Sequence, residues 1–179
     1  MSILAMYEGG QWHCPARVLT HLDDITTVLA ERGVELMKLA RPLSEDSAEL
    51  MSQCASLIAA KGGMPEPQFA KWDERKGEPG YAQVPTQLKA EEVKASAGKW
   101  LALCIGQARL CMGGKDDLSA LVLAFHGGDL LWIPAGMQWA LSAAPNSRCQ
   151  WLSMACDELS LNDSHIEQSN LSELQLLDI

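Results

Sequence analysis

Six short apolar runs fill the second half of this chain and leave it few folds to choose from. They span 99–105, 108–112, 118–125, 129–133, 137–142 and 149–156. Each is too short for an ordinary helix and long enough for a strand. Gly106, the Gly113-Gly114 and Gly127-Gly128 pairs and Pro145-Asn146 punctuate them. Strands of this length at this spacing, with turn residues between, predict a mainly β sandwich or small barrel. Alternate side chains of a strand share a face, so Lys99, Leu101, Leu103 and Ile105 go together to one side.

The first half reads differently. Leu22, Ile25, Val28 and Leu29 form the apolar stripe of a helix. Thr20 is placed to cap it, Asp23 to complete the capping box, and Gly33 to stop it. A strand over 34–39 is expected next. A second helix is expected over 44–60, with Leu50, Met51, Cys54, Leu57 and Ile58 on one face and Lys61 and Gly62-Gly63 at its end. Residues 64–90 carry Pro65, Pro67, Pro79 and Pro85 with Gly77 and Gly80. These break any regular pattern, and Phe69, Trp72 and Tyr81 predict a loop that wraps onto the body of the domain. From Asp157 to Ile179 there are six carboxylates and no Lys or Arg. Acid so placed predicts a solvated tail, although Ile166, Leu171, Leu174 and Leu177 lie near helical spacing and predict a short amphipathic helix on the barrel. The expected organisation is one domain over 1–157, helical to residue 90 and barrel from 91, followed by the acidic tail over 158–179.

The chain of 179 residues carries a formal net charge of -9. A phosphate backbone or an anionic membrane would repel it, and no basic cluster offsets this, so no nucleic-acid or membrane partner is expected. No apolar run approaches the ~20 residues of a membrane helix, and residues 1–6 lack the basic segment of a signal peptide. Six cysteines without a C-x-x-C pair sit among apolar residues. That is the pattern of reduced core thiols in a cytoplasmic protein.

One segment is more specific. Gly128-Asp129-Leu130-Leu131-Trp132-Ile133-Pro134-Ala135-Gly136 makes a tight turn into a strand and then turns again at Pro134 and Gly136, aiming the residue three beyond Gly136 inward. It resembles the first part of the second cupin motif, G-x5-P-x-G-x2-H-x3-N. Trp12-His13 ahead of a helix ending in Glu31-Arg32-Gly33-Val34, the later Lys61-Gly62, and the run from Cys104 to Cys111 are similar, in the same order, to the acireductone dioxygenase family. The resemblance covers roughly residues 10–157. It implies a cupin jelly-roll β-barrel with N-terminal helices packed on it. It also implies an enzyme of methionine salvage that opens an acireductone with dioxygen. In that family three histidines and one glutamate hold an iron or nickel ion with positions left open for the substrate.

The ligand positions carry other residues. Counting back from Gly106 puts Lys99 at the glutamate and Val93 and Ala95 at the first two histidines; the longer spacer gives Glu92 and Lys94. Trp139 stands at the third histidine, or Gln138 with a one-residue deletion. Leu101 takes the place of a substrate-contacting basic residue. The chain's four histidines, His13, His21, His126 and His165, show no metal-binding spacing. His126 reads as a turn residue, and Glu91 and Glu92 as a solvated pair. No metal cofactor is therefore expected. The pocket candidates are Val93, Ala95, Lys99, Leu101, Gln138 and Trp139, with Trp100 and Trp132 adding bulk nearby. An inward Lys99 must find a carboxylate, neutralise or snorkel out. Two outcomes stay open: a pocket collapsed into core, or one rebuilt around the lysine. The expected function is a metal-free barrel that binds a small molecule or a protein. The alternatives are an acireductone dioxygenase with a non-standard metal site, and a metal-independent isomerase or lyase that uses Lys99 as its catalytic group. Nothing in the sequence specifies an oligomer, a homodimer included.

Overall fold

A computed structural model describes residues 2–39, 49, 52, 70–74, 91–92, 98–113, 118–143, 149–155, 164–165, 171 and 174. Its elements in chain order are β1 (Ile3–Tyr7), β2 (Arg17–Leu19), α1 (Leu22–Glu31), β3 (Glu35–Lys38), β4 (Ala70–Glu74), β5 (Glu91–Glu92) and β6 (Lys99–Ile105). They continue with β7 (Gln107–Gly113), β8 (Ala120–His126), β9 (Asp129–Ile133), β10 (Gln138–Ala143), β11 (Cys149–Ala155) and β12 (Ser164–His165). The strands form two antiparallel sheets. One runs β12-β5-β10-β7-β8-β1-β2 and the other β3-β9-β6-β11-β4. The fold is mainly β, and all six apolar runs of the second half are strands.

The first half departs from its sequence reading. It supplies β1 to β4 as well as α1, so it is not simply a helical prelude. Helix α1 is capped at His21 with no side-chain cap hydrogen bond, not at Thr20. The start falls one residue later than the capping-box pattern suggests, and the Thr26 and Thr27 hydroxyls instead donate to the Asp23 carbonyl at 3.0 and 2.8 Å. Asp23 and Asp24 in the first turn favour the helix dipole. The stop at Gly33 holds: φ is 73° there, and Gly33 and Val34 donate back to Ala30 and Leu29. Within the expected loop, Ala70–Glu74 is a strand paired with β11. The prolines flank that stretch and do not enter it. The second helix over 44–60 lies outside the described residues except for Glu49 and Ser52.

Two layers of apolar side chains follow from strand alternation. Between the sheets, Leu101, Leu103, Leu131, Ile133 and Leu36 of the smaller sheet meet Leu4, Leu110, Met112, Leu121, Leu123, Phe125 and Trp139 of the larger, with Ile25 and Leu29 of α1. Each fully buried aliphatic side chain contributes roughly 1.5–3 kcal/mol. The opposite face of the larger sheet buries Ala5, Tyr7, Cys111, Val122 and Ala140, covered by Trp12, Leu171 and Leu174. The acidic tail thus places two of its leucines in a core. No helix among the described residues is long and apolar enough to cross a membrane.

A polar clasp ties the sheets together at one end. Asp129, 3% exposed, accepts from Lys38 Nζ at 3.0 Å, from Ser2 Oγ at 3.3 Å and from the His126 backbone N–H at 3.0 Å. Lys38 also donates to Ser2. The clasp joins the start of β1 in one sheet to β3 and β9 in the other.

Candidate functional site

The opposite end of the interior holds the unusual chemistry. Lys99 opens β6 facing Ile133 of β9 and is only 4% exposed. It shares the inward face with Leu101 and Leu103, as strand alternation predicts. Across the gap, Met6, Leu121, Met112 and Trp139 form one inward row over β1, β8, β7 and β10. The Lys99 Nζ lies over the Trp139 ring, 3.8 Å from its centroid. An ammonium held over an aromatic face is attracted by the ring quadrupole, and more strongly when water is excluded. Lys99 has thus gone inward, and an aromatic face helps to replace its lost hydration. It bridges the two sheets.

Gly98 fixes where this strand begins. Its φ is 106°, and a Cβ there would come within 2.5 Å of the Ile133 carbonyl oxygen and 2.7 Å of the Trp132 ring. Only glycine allows β6 to approach β9 so closely at the residue before Lys99. The sequence reading missed Gly98. Its one signal is a lone glycine directly ahead of an apolar run.

The other predicted pocket residues separate. Leu101 is fully buried one inward step beyond Lys99. Gln138 alternates with Trp139 and lies with Ala140 on the opposite face of its sheet, opposite Gly113 of β7. It is buried there, away from the Lys99 ammonium. Trp100 and Trp132 face each other in register on the far side of β6 and β9, with ring centroids 5.2 Å apart and planes at 62°. They do not add bulk beside Lys99, because they differ from it in parity. Val93 and Ala95 lie outside the described residues. Glu91 and Glu92 form β5, placed opposite Trp139 and Gln138 in register.

His126 sits at the clasp end, far from Lys99 along the strands. Its Nδ1 is buried without a hydrogen-bond partner, and burial lowers its pKa from 6.5. His13 and His21 are exposed. Among the described residues no three His, Cys, Asp or Glu side chains gather in a way that could hold a metal ion. Nor does the Lys99–Trp139 pair fit one. It offers no carboxylate, imidazole or thiolate, and a divalent ion at about 4 Å from the ammonium would be repelled by about 8 kcal/mol at an effective dielectric of about 20.

A cleft opens at this same end, lined by Met112 and Leu121 of the inward row, by the Pro134–Met137 turn and by Arg32 at the end of α1. Arg32 and Met112 were not singled out from the sequence. Neither belongs to a motif, and only the sheet pairing brings them together.

No family model matches the chain, and no curated protein does. Among solved structures it is similar to an acireductone dioxygenase from Bacillus anthracis with a cadmium ion in its active centre. The TM-score is 0.69 at 14% identity, over 92% of this chain and 98% of that one. At that identity the likeness speaks for architecture alone: the chain has an acireductone dioxygenase-like cupin fold.

Proposed function

We propose that this chain is a cupin that does not carry out metal-dependent dioxygenation and works as a binding barrel for a small molecule or a protein partner. The observation that supports this is the buried Lys99 ammonium over Trp139. Motif spacing aligns these two positions with the glutamate and the third histidine of the acireductone dioxygenase ligand set. A cation and an indole that attract each other occupy space where a carboxylate and an imidazole would hold an ion. Neither can donate a lone pair to a metal while in that contact. The reading carries no cofactor and, with its thiols reduced, a cytoplasmic setting.

The test is metal analysis of protein grown with iron and nickel in excess, paired with oxygen uptake on a synthetic acireductone. Less than a tenth of an equivalent of metal and no uptake are expected; stoichiometric metal with uptake would restore the dioxygenase. A second reading draws on the burial of Lys99 alone: a metal-independent isomerase or lyase with this amine as acid, base or Schiff-base former. A discovered activity that survives Lys99→Ala would exclude it.

A further inference from the structure

The cleft at the Lys99 end has a volume of about 370 Å³, within the ~300–1,000 Å³ common to small-molecule sites. Its floor is apolar, made by Met112 and Leu121, and one side is the turn that carries Pro134, Gly136 and Met137. Among its described lining residues, Arg32 alone bears a formal charge. In a chain of net charge -9, a lining with one guanidinium and no carboxylate is a local reversal of sign. The guanidinium is also oriented. Its Nη2 donates to Ser119 Oγ at the foot of β8, which ties the end of α1 to the strand that supplies Leu121. Two methionines give the apolar part a lining that adapts to a flexible tail.

We infer that this cleft binds a small carboxylate with an apolar tail, the head on Arg32 and the tail toward Met112, Leu121 and Met137. The inference rests on the reading of the barrel as a binder and gives that reading a ligand class. Lys99 lies behind the floor, and its positive charge adds to the field that an entering anion meets.

Calorimetric titration of the full chain with sodium octanoate, 1-octanol and octylammonium chloride tests it. Octanoate is expected to bind at least tenfold more tightly than either isostere. Arg32→Gln is expected to weaken octanoate by about tenfold or more, the usual worth of a hydrogen bond to a charged group, and to leave octanol unchanged. Arg17→Gln removes the same charge from exposed β2 and should alter neither. Equal affinity for octanoate and octanol, or no heat with octanoate, overturns the inference; so does an Arg32→Gln protein that binds octanoate as before. Should Arg32→Gln fail to fold, the wild-type preference for the carboxylate decides the matter. Metal analysis of the same preparation keeps the two readings apart. Stoichiometric iron or nickel overturns the metal-free barrel, whereas metal-free protein indifferent to octanoate overturns the cleft assignment alone.

Discussion

Lys99 sets the hardest condition on the interior, because an ammonium taken out of water needs a replacement for its hydration. The Trp139 face is one, and its contribution can be isolated. In a double-mutant cycle of Lys99→Met and Trp139→Leu, read by urea unfolding, a coupling of about 1–2 kcal/mol is expected. Additivity within ~0.3 kcal/mol would show that the ring does not hold the ammonium. A second residue, Cys111, is fully buried, and its thiol is pushed up to about 12 by that burial, against a smaller opposing pull from Arg109. Exposed Cys14 should be alkylated by iodoacetamide at pH 8 while Cys111 stays unmodified in the folded chain, as peptide mass mapping would show. Motif spacing singled out both Lys99 and Trp139 before any geometry. Their contact was not legible, because it joins strands of different sheets, and no periodicity within one strand reports on the sheet opposite.

The β8–β9 turn shows what an element can demand of a short sequence. Gly127 and Gly128 turn the chain, and Asp129 gathers Lys38, Ser2 and the His126 N–H. Lys38 is 41% exposed and can turn to water when its partner is lost, so the cost of Asp129→Asn falls mainly on the buried hydrogen bonds, about 2–3 kcal/mol in urea unfolding. The neighbouring His126 gives this end a pH dependence. Burial favours its neutral form, so its contribution to stability is present above pH 6.5 and is lost as pH falls below that value toward the lowered folded pKa. The drop in urea midpoint between pH 7.5 and pH 5.5 should shrink in His126→Gln; an unchanged drop would place the acid sensitivity elsewhere. Strands with apolar alternation were legible almost to the residue, as β6 and β9 show. By contrast, β4 was not: Ala70–Glu74 is AKWDE, three charges in five residues at the edge of its sheet, where charge guards against stray pairing and erases the pattern. β1 and β2 were passed over because short strands near a terminus carry too few alternations to register.

At the scale of the whole molecule, the larger sheet must be covered on both faces, and the chain covers the outer one from its two ends. Trp12 comes from one side in sequence and Leu171 and Leu174 from the other, over Tyr7, Cys111 and Val122. Gly113 makes room for this: a Cβ there would lie 3.2 Å from Leu171. A tail that counts as acidic and solvated by composition therefore has an apolar task, which its carboxylates conceal. Ending the chain after residue 157 removes two buried leucines, a loss of about 3–5 kcal/mol, or roughly 10 °C in melting temperature for a domain of this size. The same truncation uncovers the face that holds Cys111, so its thiol should become open to iodoacetamide while Cys14 reacts as before. The two readouts separate the explanations. A lower melting temperature with Cys111 still protected would mean that the tail stabilises the chain from somewhere other than this sheet. Unchanged stability would mean that the leucines merely rest on a face already closed by Trp12. Only joint loss of stability and protection fits a sheet whose outer core is completed by its own C-terminal segment.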